Sequence, residues 1–221
     1  RFDEESRYAG EMRRLIVLVI IAACSGVPPR FSGGALAPLE IRGERLLVSV
    51  KIDGQPRVMV LDTGASITSI STATARKLGI RTNGVARINN HIDAGLGTIK
   101  RLSIGLADHV NVPVAIVDMP NARDSEIPFD GILGLDVLGG HYLVIDFRSS
   151  TVALYPSGAI LENALMPGMA RVALSRSAHG LMMLDVKIGD PPPIQAMLEL
   201  GAPITVINSA AGATNSGRVA M

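Results

Sequence analysis

Tryptophan is absent from the 221 residues, and aromatics make up only 3% of them. Stacking platforms for bases or sugars are therefore not expected, and the core has to be built from Val, Ile, Leu, Met and Ala. A single cysteine, Cys24, excludes an intrachain disulfide. Neither sign of charge dominates, with 21 basic against 20 acidic residues. No basic stripe points to nucleic acid, and no acidic tail points to a solvated partner segment. There is no His-Glu-x-x-His and no paired Cys or His cluster, so no metal is expected. Gly-x-Ser-x-Gly is missing, which removes the elbow of a serine hydrolase. The glycines between Gly131 and Gly140 lack phosphate-binding spacing and follow no βαβ pattern.

The one long apolar run, Leu15 to Ala23, is too short to span a bilayer as a helix. Preceded by Met12-Arg13-Arg14 and followed by Cys24-Ser25-Gly26, it reads as a secretory signal. Ile21-Ala22-Ala23-Cys24 is similar to the lipobox of bacterial lipoproteins. That resemblance implies lipidation at Cys24 and a membrane tether on the periplasmic side of a bacterial envelope; a plain signal peptide is the alternative. Residues 1–11 are polar and acidic, foreign to a signal, so Met12 reads as the true start. Residues 1–24 thus form an N-terminal extension and signal segment, and the Pro/Gly/Ser-rich residues 25–40 a flexible tether.

From Ile41 the pattern is all-β. Leu46 to Ile52 alternates, Asp53-Gly54-Gln55-Pro56 forms a hairpin turn, and Val58 to Leu61 returns. One helix is expected over Ser71 to Leu78, capped by Ser71 or Thr72 and ended by Gly79. Strands are predicted at Ile99–Ile104, Val112–Val117, around Ile132, at Leu143–Phe147 and at Val152–Tyr155. Short strands with frequent turns suggest a small barrel or sandwich.

Within this pattern Val58-Met59-Val60-Leu61 delivers Asp62-Thr63-Gly64, and Ile67 to Ile70 carries the chain away. As a bare tripeptide Asp-Thr-Gly is an ordinary turn. After four apolar positions, however, a carboxylate is expensive to bury unless it is hydrogen-bonded or has a task. A second apolar strand, Ile132-Leu133-Gly134, ends in glycine further on. The chain also repeats itself. Val50-Lys51-Ile52 recurs as Val186-Lys187-Ile188, and Gly64-Ala65-Ser66-Ile67-Thr68 recurs as Gly201-Ala202-Pro203-Ile204-Thr205. The repeat lays Glu199-Leu200-Gly201 over Asp62-Thr63-Gly64, at an offset of 137 residues (199 − 62).

Over roughly residues 40 to 156, Asp62-Thr63-Gly64-Ala65-Ser66, Ile132-Leu133-Gly134 and the last strand His141 to Phe147 resemble the retropepsin-like aspartic peptidases, especially the bacterial secreted ones. The resemblance implies an acid-protease barrel over residues 41–157, with residues 168–221 as the start of a second, incomplete homologous lobe. It also implies an aspartic endopeptidase that needs no cofactor and acts on peptide or protein substrates. Asp62 would be one catalytic carboxylate, the Thr63 hydroxyl would tie two turns together, and Gly64 would let backbone approach the pair.

Such chemistry needs two carboxylates sharing one proton. Two sources are open: Asp62 of another copy, which gives a symmetric homodimer, or Glu199 of the same chain. Glu199 departs from the pattern, since its extra methylene is expected to push the carboxylate out of coplanarity with Asp62. Leu200 has no hydroxyl, so the inter-turn bond is lost on that side. Glu199-Leu200-Gly201 therefore reads as a degenerate second turn, and a non-catalytic peptide-binding module or a fragment of a two-lobed protein stand as alternatives. The segment Asn89 to Gly97 is the candidate flap, with Gly95 and Gly97 as a mobile tip and His91 as a surface loop residue. Asp136 and Asp146 read as structural hydrogen-bonders, and Met166, Met169, Met182 and Met183 as core or interface filling.

Overall fold

A computed structural model describes residues 17–20, 35–88, 92–119, 128–156, 172–190, 192–202 and 204–208. Fourteen strands and two short helices are assigned among them. The strands are β1 (Val17–Ile20), β2 (Ala35–Arg42), β3 (Arg45–Ile52), β4 (Gln55–Leu61), β5 (Ser69–Ser71), β6 (Gly84–Ile88), β7 (Ile92–Ile104), β8 (Ala107–Val117), β9 (Gly131–Leu133), β10 (His141–Asp146), β11 (Thr151–Pro156), β12 (Ser175–Arg176), β13 (Met182–Val186) and β14 (Ile194–Met197). The helices are α1 (Thr72–Leu78) and α2 (Leu135–Leu138). The all-β expectation holds. Eleven strands form one continuous sheet in the order β1-β10-β11-β2-β3-β4-β9-β5-β8-β7-β6, and β12-β13-β14 form a second, small sheet.

Local chemistry accounts for the joints. Asp53 and Gly54 both have positive φ, 49° and 81°, as a two-residue hairpin matched to strand twist requires. Gln55 and Pro56, predicted as turn, already belong to β4. Ser71 caps α1 by accepting a bond from the Thr74 N–H at 3.0 Å, and Gly79 closes it at φ 69°, both as predicted. The core is aliphatic: Leu47, Ile52, Met59, Leu61, Ile70, Ile99, Leu102, Leu133, Leu143 and Ile145 are each under 2% exposed. At about 1.5–3 kcal/mol per fully buried large aliphatic side chain, this core dominates the stability of the sheet.

The assignment of residues 25–40 to a tether needs correction at its C-terminal end. Residues 35–40 belong to β2, which pairs with β11 through Pro38 and with β3 from Leu39 onward. Ala37 and Leu39 are almost completely buried. The strand changes partners at Pro38, where the missing N–H costs least, and Leu39 N–H donates to Ser150 C=O at 2.9 Å. Within the apolar run Leu15 to Ala23, Val17–Ile20 forms β1, in parallel register with β10. Cys24 lies outside the described residues.

β9 is what positions the site. It runs parallel to β4, with Leu61 level with Leu133, and antiparallel to β5. It therefore crosses behind the turn that joins those two strands. Asp62 N–H donates to Leu133 C=O at 3.1 Å and Leu135 N–H to Ala65 C=O at 2.8 Å, so the crossing segment pins both sides of the turn. A Cβ at Gly134 would fall 2.6 Å from the Ile67 carbonyl carbon; only glycine permits so close a crossing.

Candidate active site

Asp62 stands at the end of β4, half-buried, with its Oδ1 accepting the Gly64 N–H at 2.7 Å. Burial is the largest influence on its carboxyl group and raises its pKa; bonds from the Gly64, Ala65 and Gly201 backbone oppose that rise in part. Thr63 beside it is fully buried. Below the turn, Asp136 Oδ1 accepts both the N–H of Thr68 (2.8 Å) and its hydroxyl (2.7 Å). Thr68 Oγ1 in turn accepts Gly134 N–H at 3.1 Å. Asp136 is thus a brace beneath the turn, as read from sequence. Asp146 likewise serves its own turn, accepting from Arg148 and Ser149 backbone and the Ser149 hydroxyl.

The repeat predicted from sequence becomes a spatial relation. β13 and β14 pair as a hairpin with Val186 opposite Ile194, and the chain emerging from β14 lies against the Asp62 turn. The Thr63 hydroxyl donates to Leu198 C=O at 2.7 Å and accepts Leu200 N–H at 3.1 Å. Thr63 and Leu200 are 137 residues apart, the repeat offset itself, so equivalent positions of the two repeats meet face to face. Leu200 has no hydroxyl with which to return the bonds, and its side chain packs against the core instead.

The glycines show where the carboxylates lie. A Cβ at Gly201 would fall 2.3 Å from Asp62 Cγ, and a Cβ at Gly64 would fall 2.8 Å from Glu199 Cδ. The Asp62 carboxyl therefore sits over Gly201 and the Glu199 side chain over Gly64, with Asp62 half-buried and Glu199 exposed. The extra methylene of Glu199 shows in this seating: its Cγ comes nearest to the Gly64 position at 2.7 Å with the carboxyl carbon at 2.8 Å, against 2.3 Å for the Asp62 carboxyl carbon at Gly201. The Glu199 carboxyl is also raised in pKa, by burial first and then by the charge of Asp62, the signature of two carboxylates competing to ionise.

Both carboxyl groups open into a cleft of about 540 Å³ that is also lined by Ile67, Ile88, Ile92, Val117, Met119 and Phe129. Ile88 and Ile92 flank the tip of the β6–β7 hairpin, so the predicted flap does stand beside the site. Its glycines require correction. Gly95 and Gly97 lie within β7, paired with Val85 and Val114, and neither has positive φ. A Cβ at Gly97 would approach Ile116 Cδ1 to 2.9 Å and one at Gly95 would approach Thr82 to 3.0 Å; they serve close packing, not a tip. Residues 89–91, His91 among them, lie outside the described residues. Sequence reading missed Arg45 and Asp118 as lining residues. Among the described residues no group of three or more His, Cys, Asp or Glu is arranged to hold a metal ion.

Residues 48–137 match a family model described as aspartyl protease. Among curated proteins, Protein DDI1 homolog 2 of Homo sapiens is 27% identical over 148 residues, covering 64% of this chain and 35% of that protein. The protein of the same name from Danio rerio is 27% identical over 137 residues, covering 58% and 32%. The chain thus spans about a third of the length of the curated relatives it matches. Among solved structures, a retropepsin-like aspartic protease from Rickettsia conorii aligns with a TM-score of 0.42 at 19% identity, over 57% of this chain and 92% of that one.

Proposed function

We propose that this chain, which belongs to the retropepsin-like aspartyl protease family, is an aspartic-type endopeptidase whose second carboxylate is its own Glu199. The observation that carries the reading is the grip of the Thr63 hydroxyl on Leu198 and Leu200, which seats Glu199 and Asp62 over each other's glycines. The pair holds one proton. The ionised member takes a proton from a water lying between them, and the protonated member donates to the oxygen of the scissile carbonyl. The resulting tetrahedral carbon then expels the amine, which collects the proton that came from water, while one diol hydroxyl returns its proton to the dyad as the new carboxyl group forms. No covalent enzyme intermediate forms. The substrate is an extended peptide lying in the cleft beneath the β6–β7 hairpin. Because residues 198–201 already occupy the face of the Asp62 turn, an Asp62 turn from a second copy has no seat there, and the site is complete in one chain.

Asp62→Asn keeps the shape of the turn and is expected to lower peptide cleavage by at least about 10³-fold, with thermal stability little changed. Specific activity is expected to be independent of protein concentration. Cleavage by the Asp62→Asn variant at the wild-type rate refutes the mechanism. Activity that rises steeply with concentration refutes the single-chain site and restores the homodimer. The absent hydroxyl at Leu200 supports a second reading, a peptide-binding module without turnover; it is distinguished by peptide binding with no cleavage at any pH.

From Met12 to Cys24 we also infer a lipid anchor that holds this site on the periplasmic side of a bacterial cell envelope. Cys24→Ser is expected to move the protein from the membrane fraction to the soluble one; unchanged fractionation removes the anchor.

A further inference from the structure

We propose that Arg45 and Phe129 form a subsite for a carboxylate of the bound peptide, so that substrates are selected for an acidic group near the scissile bond. The inference rests on the peptidase reading only for what the bound molecule is. The subsite itself stands on the surroundings of Arg45.

Among the described residues, Arg45 is the one basic residue lining the cleft; the other charged lining residues are Asp62, Asp118 and Glu199. Its guanidinium carbon lies 5.3 Å from the centre of the Phe129 ring, within the range of a cation–π contact. Among the described residues no carboxylate comes within 4 Å of it: the ion pairs there are Arg42–Glu40, Arg57–Asp130, Arg87–Asp93 and Arg101–Asp108. Asp118 borders the same cleft without pairing to Arg45, and Glu40 is taken by Arg42. A guanidinium with five donors in a planar fork is built for bidentate carboxylate recognition. Here it is half-buried, steadied by a ring and left with no acceptor among the described residues.

The local backbone places Arg45 at the cleft wall. Arg42 and Arg45 face each other across the β2–β3 turn, a like-charged pair that destabilises a hairpin. The turn between them places Glu44, a non-glycine residue, at φ 64°, a conformation that is uncommon for side chains of that kind. The Gly43–Glu44 turn, with φ 51° and 64°, is the two-residue geometry that strand twist favours, so only the paired arginines work against the hairpin. Turn and pair together begin β3 with a cation at the cleft wall, close to the level at which β3 pairs with the Asp62 strand. An incoming carboxylate would complete the fork that the protein leaves open.

Side chains of Asp and Glu and the terminal carboxylate of a peptide share this chemistry, and a peptide series separates them. Fluorescently labelled peptides carry Glu, its neutral isostere Gln or Lys at each position in turn, with either a free or an amidated C-terminus. Cleavage by the full chain and binding to it are both measured, for the wild type, Arg45→Gln, Arg45→Lys and Arg45→Glu. A Glu-over-Gln preference of roughly 10- to 100-fold at one position is expected for the wild type. It should shrink in Arg45→Lys, vanish in Arg45→Gln and turn into a preference for Lys in Arg45→Glu. Preference for the free C-terminus alone identifies the terminal carboxylate as the ligand. Binding that selects Glu through Arg45 without cleavage keeps this subsite and sinks the peptidase reading. Cleavage with no acidic preference, or with one that Arg45→Gln leaves intact, overturns the subsite and leaves the peptidase reading standing. A wild type that neither binds nor cleaves any peptide of the series overturns both.

Discussion

Replacing Thr63 with valine keeps the shape of a fully buried side chain and exchanges one hydroxyl for a methyl. That hydroxyl bridges the two turns twice over: it donates to Leu198 C=O at 2.7 Å and accepts Leu200 N–H at 3.1 Å. Each net bond is worth about 1 kcal/mol, and each backbone group left facing a methyl loses about 1–3 kcal/mol of solvation. The segment has a way out that the core lacks, because lifting residues 198–201 away returns both backbone groups to water. The substitution therefore weakens docking by about 2–4 kcal/mol, a factor of roughly 30 to 900 in the docking equilibrium, while the large sheet keeps its stability. Amide hydrogen exchange followed peptide by peptide reads this directly. Residues 198–201 should lose protection in Thr63→Val, residues 45–61 should keep it, and cleavage should fall in step with docking. Thr63→Ser, which keeps the hydroxyl, should restore most of both. Unchanged exchange at 198–201, or cleavage by Thr63→Val within about threefold of the wild type, would refute the claim that this hydroxyl assembles the site.

The two glycines of the site predict opposite outcomes. Gly201→Ala puts a methyl 2.3 Å from Asp62 Cγ, on a short side chain already fixed by Gly64 N–H; it should unseat residues 198–201 and lower cleavage by more than about tenfold, by misplacing a reacting group. Gly64→Ala meets only the Glu199 side chain, with Cγ and Cδ nearest at 2.7 and 2.8 Å, and that longer side chain can swing aside, so docking should survive while cleavage falls; equal exchange in the two variants argues against the seating described. A third test lies at His109 and His141, whose rings meet edge-on at 5.2 Å and whose Nε2 and Nδ1, respectively, are buried without partners among the described residues. Both imidazoles are lowered in pKa, chiefly by burial. The unfolded chain therefore binds protons near pH 6.5 that the folded chain refuses. Stability from this pair is present above about pH 6.5 and is lost as pH falls through that value. His109→Phe should flatten the fall in melting temperature between about pH 7 and pH 5, and an unchanged slope would exclude the pair as its source.

Features written in local chemistry were legible in the sequence. Ser71 and Gly79 bound α1 because one carries a capping hydroxyl and the other tolerates φ 69°. Ile132-Leu133-Gly134 was identifiable because its apolar run ends in the glycine that a close crossing demands. What was not legible depends on partners distant along the chain. Residues 35–40 have the composition of a linker, yet β3 and β11 make them a strand. Gly95 and Gly97 look like a hinge in sequence, because a glycine that permits motion and one that admits the side chain of Ile116 are the same letter. Arg45 belongs to no motif. Its role emerges only when the Gly43–Glu44 turn sets it beside Phe129, 84 residues later (129 − 45).

The reach of Glu199 also bears on how the site responds to acid. Side-chain length matters here relative to the separation of the two turns. With one hydroxyl instead of two across the interface, the second turn is held by fewer bonds, and the longer acid still reaches the seat over Gly64. Both carboxyl groups are raised in pKa, chiefly by burial. The stability they lend to the docked arrangement is thus fully present below the ordinary carboxylate range and is lost as pH rises through their raised values. The histidine pair works in the opposite sense, weakening the sheet as pH falls below about 6.5. Acid therefore tightens the closure of the active site while it loosens the fold that carries it. The two titrations pull in opposite directions as pH falls, so the pH that suits the chemistry is set by the fold as much as by the two carboxylates.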